Sequence, residues 1–473
     1  MKVLYVASEA FPFIKVGESG DIAAALPKYI NRTGEAEVRV ILPNFSQIDP
    51  LFRKNFKTLG RGRLKMGTRE IDFTLEHLKY LETDYYFISS DTYFHRENIY
   101  GESDDAERFA FFSKAVLESL DIIKFHPDII HCNNIASALI PVFLQEKKEE
   151  KSKLSSIKTL FTLHSLKYQG IVNRDLLQDI LDLNPMEYFL EDSMKYYDSI
   201  SFLKGAIVYS DAINTVSNTY LDEILTEEKG MGLAGLFRFH RKKIVGIRNG
   251  IDTEIFDPKK DSEIEFNYGY TTLEKRRENK IQLQKELGLH ENSEIPLIAV
   301  IGKLEEEKGM ELLKEKMDAL LSEKVEIIIL GSGMEKYEDF FDYYAHLYPD
   351  KVYTQEFRND FLTKKILSGT DIILTPSHTE PCGLIQMLAL RYGAIPVARV
   401  TGGIGETLNM DNSFLFHEYS GEEMLHAVQN ALHCYHNDRA GWMKKIEKGM
   451  RARNSWGTPA KKYLALYKKL LKK

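Results

Sequence analysis

Only three cysteines, Cys132, Cys382 and Cys434, are spread over 473 residues, with no metal-ligand spacing and no even set from which a disulfide framework could be built. A reducing compartment fits this count, and a cytoplasmic protein is expected. No apolar run approaches the ~18 residues that a membrane span requires. The opening MKVLYVASEA has one Lys and an apolar run too short for an export signal. Neither export nor a membrane partner is expected. A basic excess is missing too: 63 Lys and Arg against 70 Asp and Glu leave a net charge of -7, so there is no global footprint for nucleic acid. The lysines of the tail (Lys461, Lys462, Lys468, Lys469, Lys472, Lys473) read as a solvated helix face. The chain lacks G-x-x-x-x-G-K-[ST], which excludes a P-loop, and Gly331-Ser332-Gly333 lacks the third glycine of a dinucleotide fingerprint and reads as a strand-to-helix turn. There is no Asp-x-Asp pair and no His, Cys and carboxylate set with metal spacing, so neither metal nor cofactor is expected. A bound phosphate would have to be neutralised by lysines and backbone amides.

What is present is the balance of a globular protein, 43% hydrophobic and 28% charged, in a chain too long for one ordinary core. Short aliphatic runs alternate with longer helical patterns at Val3 to Val6, Val38 to Leu42, Tyr85 to Ile88, Ile129 to Cys132, Lys158 to Leu163 and Ala212 to Val216. The alternation resumes at Leu297 to Ile301, Val325 to Leu330, Lys351 to Thr354, Ile372 to Thr375 and Ile395 to Ala398. Strands alternating with helices imply parallel sheets, so the expected fold is α/β, with two Rossmann-like, doubly wound domains facing each other across a cleft. The break lies between Arg248 and Glu291, where Asn249-Gly250 and Asp257-Pro258 are turn signals. The expected division is 1–244, 245–455 and a C-terminal helix over 456–473.

The most informative stretch is Glu380 to Gln386, EPCGLIQ, after the strand-like run Ile372 to Thr375. A helix is expected to start near Pro381, which a first helical turn tolerates. Glu380 then stands where a parallel sheet binds ligands, at a strand-to-helix crevice. Two readings of it remain: a ligand contact, or a buried carboxylate satisfying the helix start. Lys303 and Lys308 follow the strand Leu297 to Ile301 and bring two ammonium groups to its mouth. In the first domain, Ser8 to Gly17 is a loop after the opening strand, carrying Lys15 and a small residue.

These residues also carry a family resemblance. Lys15-Val16-Gly17, Asp104 to Phe109, Phe161-Thr162-Leu163-His164, Tyr168-Gln169-Gly170, Thr215-Val216-Ser217, Asn249-Gly250-Ile251-Asp252, Lys308-Gly309, EPCGLIQ and Thr401-Gly402-Gly403 resemble the bacterial glycogen synthases and plant starch synthases, glycosyltransferase family five, in the family's order along essentially the whole chain. The resemblance implies a GT-B fold and retaining, metal-free transfer of glucose from ADP-glucose to the non-reducing end of glycogen or another α-1,4-glucan. It implies that the C-terminal helix near Trp456 returns to the first domain. It makes His164, Lys308 and Glu380 the catalytic set, with His164 near the anomeric carbon, Lys303 and Lys308 facing the leaving ADP, and Glu380 under the donor sugar. Lys15 becomes a donor-phosphate contact, amides at Cys382 and Gly383 bind sugar oxygens, and Gly17, Asn249, Thr401 and Gly402 complete the substrate-binding residues.

Four departures surround the same chemistry. The family's Lys-x-Gly-Gly-Leu loop is Lys15-Val16-Gly17-Glu18-Ser19 here; its His-Asp-Trp-His string is Asn133-Asn134-Ile135-Ala136; its arginine before the Lys-Gly element is Lys303; and Ser165 follows His164 where the family has asparagine. A working glucan synthase is the first functional reading. A catalytically weakened paralogue that binds glucan or regulates another synthase is the alternative, and a donor with another base is a third.

Overall fold

The computed structural model describes residues 1–149, 153–356 and 360–472. Lys473, the last residue of the lysine tail, lies outside them. The chain divides into two compact units, Met1–Asn249 with Trp456–Lys473, and Gly250–Ser455. The strand Ile244–Gly246, which spans the expected boundary near residue 245, pairs in parallel with Ala212–Thr215 and so extends the sheet of the first unit.

That sheet has nine strands, in the order Ile244–Gly246, Ala212–Thr215, Lys158–Leu163, Ile129–Asn133, Lys2–Val6, Glu37–Pro43, Thr83–Ser89, Arg69–Tyr80 and Lys57–Met66. The first seven run parallel, and their near-continuous burial, as in Lys2–Val6 with only Lys2 exposed, is what helices on both faces demand. The last two form an antiparallel hairpin that the sequence did not announce. Its outer strand, KTLGRGRLKM, turns Arg61, Arg63 and Lys65 to solvent and Leu64 and Met66 inward. Strand order reverses beside Lys2–Val6: the next strand in sequence lies on one side, while Ile129–Asn133 lies on the other. Such a switch point opens a crevice at the carboxyl ends of the strands.

The second unit holds six parallel strands, ordered Val352–Gln355, Glu326–Leu330, Leu297–Ile301, Ile372–Thr375, Ile395–Arg399 and Phe414–Phe416. Its switch point falls between Leu297–Ile301 and Ile372–Thr375. The Gly331-Ser332-Gly333 stretch is the turn between Glu326–Leu330 and the helix Glu335–Leu347, and its Gly333 bridges to Leu304 on the neighbouring loop.

The helix Gly457–Leu471 belongs to the first unit, where Tyr463, Leu464, Tyr467 and Leu470 are buried. Two hydroxyls lock it onto the sheet: Tyr467 lies 2.8 Å from Nδ1 of His131, and Nδ2 of Asn214 donates to Tyr463 at 2.8 Å. Thr162 ties the two contacts together. Its hydroxyl gives its proton to Oδ1 of Asn214 (2.6 Å), so the 2.5 Å contact with His131 requires a proton on Nε2 of that ring. Nδ1 of His131 therefore accepts from Tyr467.

Candidate functional site

In the first unit the site residues gather at the ends of the three strands around the switch point. The loop after Lys2–Val6 is organised by Glu9, a carboxylate only 3% exposed. Its Oε2 accepts from the backbone amides of Val16 (2.6 Å) and Gly17 (3.0 Å), and its Oε1 accepts from the hydroxyls of Ser19 (2.5 Å) and Tyr100 (3.3 Å). Gly17 is the N-cap of the helix Glu18–Asn31, so this carboxylate lies against a helix start, where anions are favoured. Glu9 lies inside the loop Ser8 to Gly17, where a lone acid beside a buried strand end is the only signal the sequence gives of its role. Lys15 is half-buried and forms an ion pair with Asp21 at 2.8 Å. Glu18 occupies the first turn of the same helix, where a negative charge opposes the helix dipole favourably.

His164 sits directly after Lys158–Leu163. Its Nε2 lies 3.0 Å from Oδ1 of Asn133, and its backbone amide reaches Oδ1 of Asn134 at 3.4 Å. Burial pushes its pKa down to about 4, so the ring is neutral at pH 7. Burial also holds His131 well below its usual range. Each ring would be protonated in an unfolded chain near its ordinary pKa of 6.5 and resists protonation when folded, so the first unit loses stability as pH falls from about 6.5 towards 4. Asn134 has φ of 54° with ψ of -172°, a positive-φ conformation outside the left-handed helical well that is strained for a residue with a Cβ. Asn249 closes this unit, fully buried, with both carboxamide atoms unpaired among the described residues.

The second unit brings together Lys308 and Glu380. The ammonium and Oε2 of the carboxylate are 2.7 Å apart, with the carboxylate side chain 4% exposed and the lysine 30%. Ser377 adds a hydroxyl to the same oxygen at 3.2 Å. Lys308 rides on the short turn Glu306–Lys308, closed by Gly309 with φ of 78°. A Cβ at Gly309 would run into the carbonyl of Pro376, so only bare backbone lets this turn lie against the end of Ile372–Thr375. The amide of His378 donates to the carbonyl of Glu307 at 2.9 Å and joins the loops again. Lys303 is exposed on the same loop as Lys308.

The helix expected near Pro381 starts later, at Leu384 within EPCGLIQ. Gly383 is its N-cap with φ of 74°, so Pro381 and Cys382 stay in a turn. Glu380, read from the sequence either as a ligand contact or as a buried carboxylate at a helix start, pairs with Lys308 and Ser377, and the helix is capped at Gly383 instead. Cys382 and Thr401 are buried, and the amide of Gly403 donates to the carbonyl of Glu380 at 3.0 Å, which holds Thr401-Gly402-Gly403 against the EPC turn. Gln386 folds its carboxamide over Gly383, fully buried, with both polar atoms unpaired among the described residues. Among the described residues no group of three or more His, Cys, Asp or Glu could hold a metal ion, and no helix is long and apolar enough to cross a membrane.

Residues 2–239 match the family described as starch synthase catalytic domain, and residues 282–449 match glycosyl transferases group 1. The glycogen synthase of Clostridium novyi (strain NT) is 41% identical over 481 residues, covering 100% of both chains. The glycogen synthase of Clostridium acetobutylicum is 40% identical over 479 residues with the same coverage. Among solved structures, the catalytic domain of starch synthase IV from Arabidopsis thaliana, bound to ADP and acarbose, superposes with a TM-score of 0.95 at 31% identity, covering 100% of this chain and 99% of that one.

Proposed function

This chain belongs to the glycogen synthase and starch synthase family of GT-B glucosyltransferases, and from that premise we propose that it transfers glucose from ADP-glucose to the non-reducing end of an α-1,4-glucan with retention of configuration. The observation that carries this reading is the Lys308–Glu380 pair at the switch point of the second unit, with Lys303 on the same loop. Negative charge builds on the β-phosphate as ADP leaves, and ammonium groups fixed beforehand stabilise that charge without reorganising. Glu380 holds Lys308 and balances its charge until the diphosphate takes over. Lys15 is a second phosphate contact. His164, neutral near pH 7, adds no positive charge beside an anomeric carbon that is itself becoming positive. Amides at Cys382 and Gly383, with Gly17, Asn249, Thr401 and Gly402, bind the rest of the donor. The same reading assigns the enzyme to the cytoplasm, consistent with three free cysteines.

The test is a transfer assay with purified protein, glycogen primer and labelled ADP-glucose or UDP-glucose, with and without EDTA. Incorporation from ADP-glucose that survives chelation is expected, in linkages that an α-1,4-specific amylase releases. Loss with EDTA and recovery with a divalent ion would sink the metal-free mechanism. Preference for UDP-glucose would overturn the donor. The loss of an aspartate and a tryptophan at Asn134 and Ile135 favours the weakened-paralogue reading, and glycogen binding without incorporation from either donor would establish it.

Glu18 gives a separate check on the donor. If it borders the diphosphate, its carboxylate repels the ligand where screening is weaker than in bulk water, and Glu18→Gly tightens ADP-glucose binding despite losing a favourable helix-terminus charge of roughly 0.3–1 kcal/mol. Calorimetric titration of ADP-glucose into both proteins reads this directly. Unchanged or weaker binding would mean that the loop built around Glu9 and the Lys15–Asp21 pair accommodates the acid.

A further inference from the structure

Asn133 enters the family comparison only as a departure, an amide where the pattern has an imidazole. Its surroundings give it a definite task. The side chain is 4% exposed at the end of Ile129–Asn133, and it makes four hydrogen bonds. Two are to backbone carbonyls, those of Val6 (3.0 Å) and His131 (3.2 Å). Carbonyls only accept, so the amide nitrogen must face them and the carboxamide orientation is fixed. Oδ1 therefore points the other way, at the hydroxyl of Tyr5 (2.9 Å) and Nε2 of His164 (3.0 Å). An acceptor oxygen at that distance requires N–H on Nε2. The ring proton of His164 is thereby placed on Nε2, and Nδ1 keeps the lone pair.

The support extends one layer further. Tyr5 packs edge-on against His131, with ring centroids 4.7 Å apart, and His131 is held by Thr162 and by Tyr467 of the C-terminal helix. The titratable groups around His164 are Tyr5, His131 and Tyr467, with Tyr463 packed 5.5 Å from the His131 ring. Burial raises the phenols of Tyr5 and Tyr467 and lowers His131, so these three are neutral near pH 7. Asn133 cannot titrate. An imidazole at this position could exchange donor for acceptor with pH, whereas the amide cannot.

We propose that Asn133 is a positioning residue for glucosyl transfer, acting through His164 by fixing its ring in the Nε2–H tautomer. This rests on the reading that His164 serves the transfer step. It predicts a dependence on Asn133 that packing alone would not produce, because the tautomer of a neighbouring ring is the quantity being set.

The experiment uses the full chain labelled with ¹⁵N-histidine and long-range ¹H–¹⁵N spectra, with His164 assigned by loss of its signals in His164→Ala. Kinetics with ADP-glucose and glycogen accompany the spectra. In the wild type, His164 shows Nε2–H at pH 7. In Asn133→Leu, which removes donor and acceptor at similar volume, that tautomer is lost or mixed, and kcat falls by roughly ten- to a hundredfold with KM for ADP-glucose changed less than about threefold. Asn133→Asp keeps an acceptor at the same point and adds a charge, so Nε2–H persists while the titration midpoint of His164 moves up. The proposal is overturned by Nδ1–H in the wild type, by an unchanged tautomer in Asn133→Leu, or by a changed tautomer with unchanged kcat. Should Asn133→Leu not fold, an unmoved midpoint in Asn133→Asp overturns it alone. Full activity of His164→Ala would instead remove the role given to His164, and leaves the spectra free to report on Asn133 independently.

Discussion

Lys308→Ala is expected to lower kcat by roughly two to three orders of magnitude, the effect of deleting one fixed donor from a charge-stabilising site, or about 2.7–4 kcal/mol. The ammonium stands 2.7 Å from Oε2 of Glu380, on a turn that Gly309 presses against Pro376. In the free enzyme its partner is the carboxylate, and the gain in catalysis comes as the leaving diphosphate acquires charge, so the loss belongs in kcat more than in KM. A purely structural ion pair would behave differently. Removing Lys308 would then strand a nearly buried carboxylate with Ser377 alone, lowering Tm and leaving turnover intact. Measuring kcat and Tm together separates the two, and Lys308→Ala/Glu380→Gln removes the stranded charge as well. An effect on kcat/KM below about threefold, roughly 0.7 kcal/mol, would sink the assignment.

Truncation before Gly457 is expected to unfold the first unit. Five large side chains of the C-terminal helix, Tyr463, Leu464, Leu466, Tyr467 and Leu470, are each no more than 9% exposed. Burial of each contributes about 1.5–3 kcal/mol, so together they match the entire net stability of an ordinary domain, about 5–15 kcal/mol. The hydroxyl contacts contribute less. Tyr467→Phe leaves the ring in place and deletes one hydrogen bond to His131, and should cost only about 1 kcal/mol. Hydrogen exchange resolves the prediction by unit: loss of protection across Lys2–Val6, Ile129–Asn133 and Lys158–Leu163 is expected in the truncated chain, with protection retained in Leu297–Ile301. Equal protection of the first unit in both proteins would show that the helix is an accessory.

Most of the parallel strands were legible in the sequence because they are buried on both faces and read as continuous aliphatic runs, and Lys158–Leu163, Leu297–Ile301 and Ile372–Thr375 have the bounds expected, whereas the three-residue strands at the sheet edges, Ile244–Gly246 and Phe414–Phe416, are too short to show a pattern and were not expected. The hairpin Lys57–Met66 and Arg69–Tyr80 was not, because its exposed face carries so many charges that period-two alternation reads as loop. The helix start at Leu384 was displaced by a local backbone fact, the positive φ of Gly383, that overrides the permissive Pro381. Among site residues, the partnership of Lys308 with Glu380 lay beyond reach, since 72 positions separate them and sequence spacing says nothing about which strand ends adjoin. Glu9 and Asn133 were present but unweighted. Each is oriented in part by backbone amides or carbonyls, groups that no residue pattern displays.

The basic hairpin also decides how far the sheet can grow. Lys57–Met66 is the last strand of its sheet, and among the described residues no strand pairs with its outer side. A second copy docking there edge to edge would bring the like charges of Lys57, Arg61 and Lys65 together, and the register slip between Thr58 and Gly60 breaks the straight run of amides that such pairing needs. Arg63, paired with Asp72 at 2.5 Å across the hairpin, stiffens that outer face without extending it. The charge on this edge and the slip in its register therefore both oppose continuation of the sheet by a second chain.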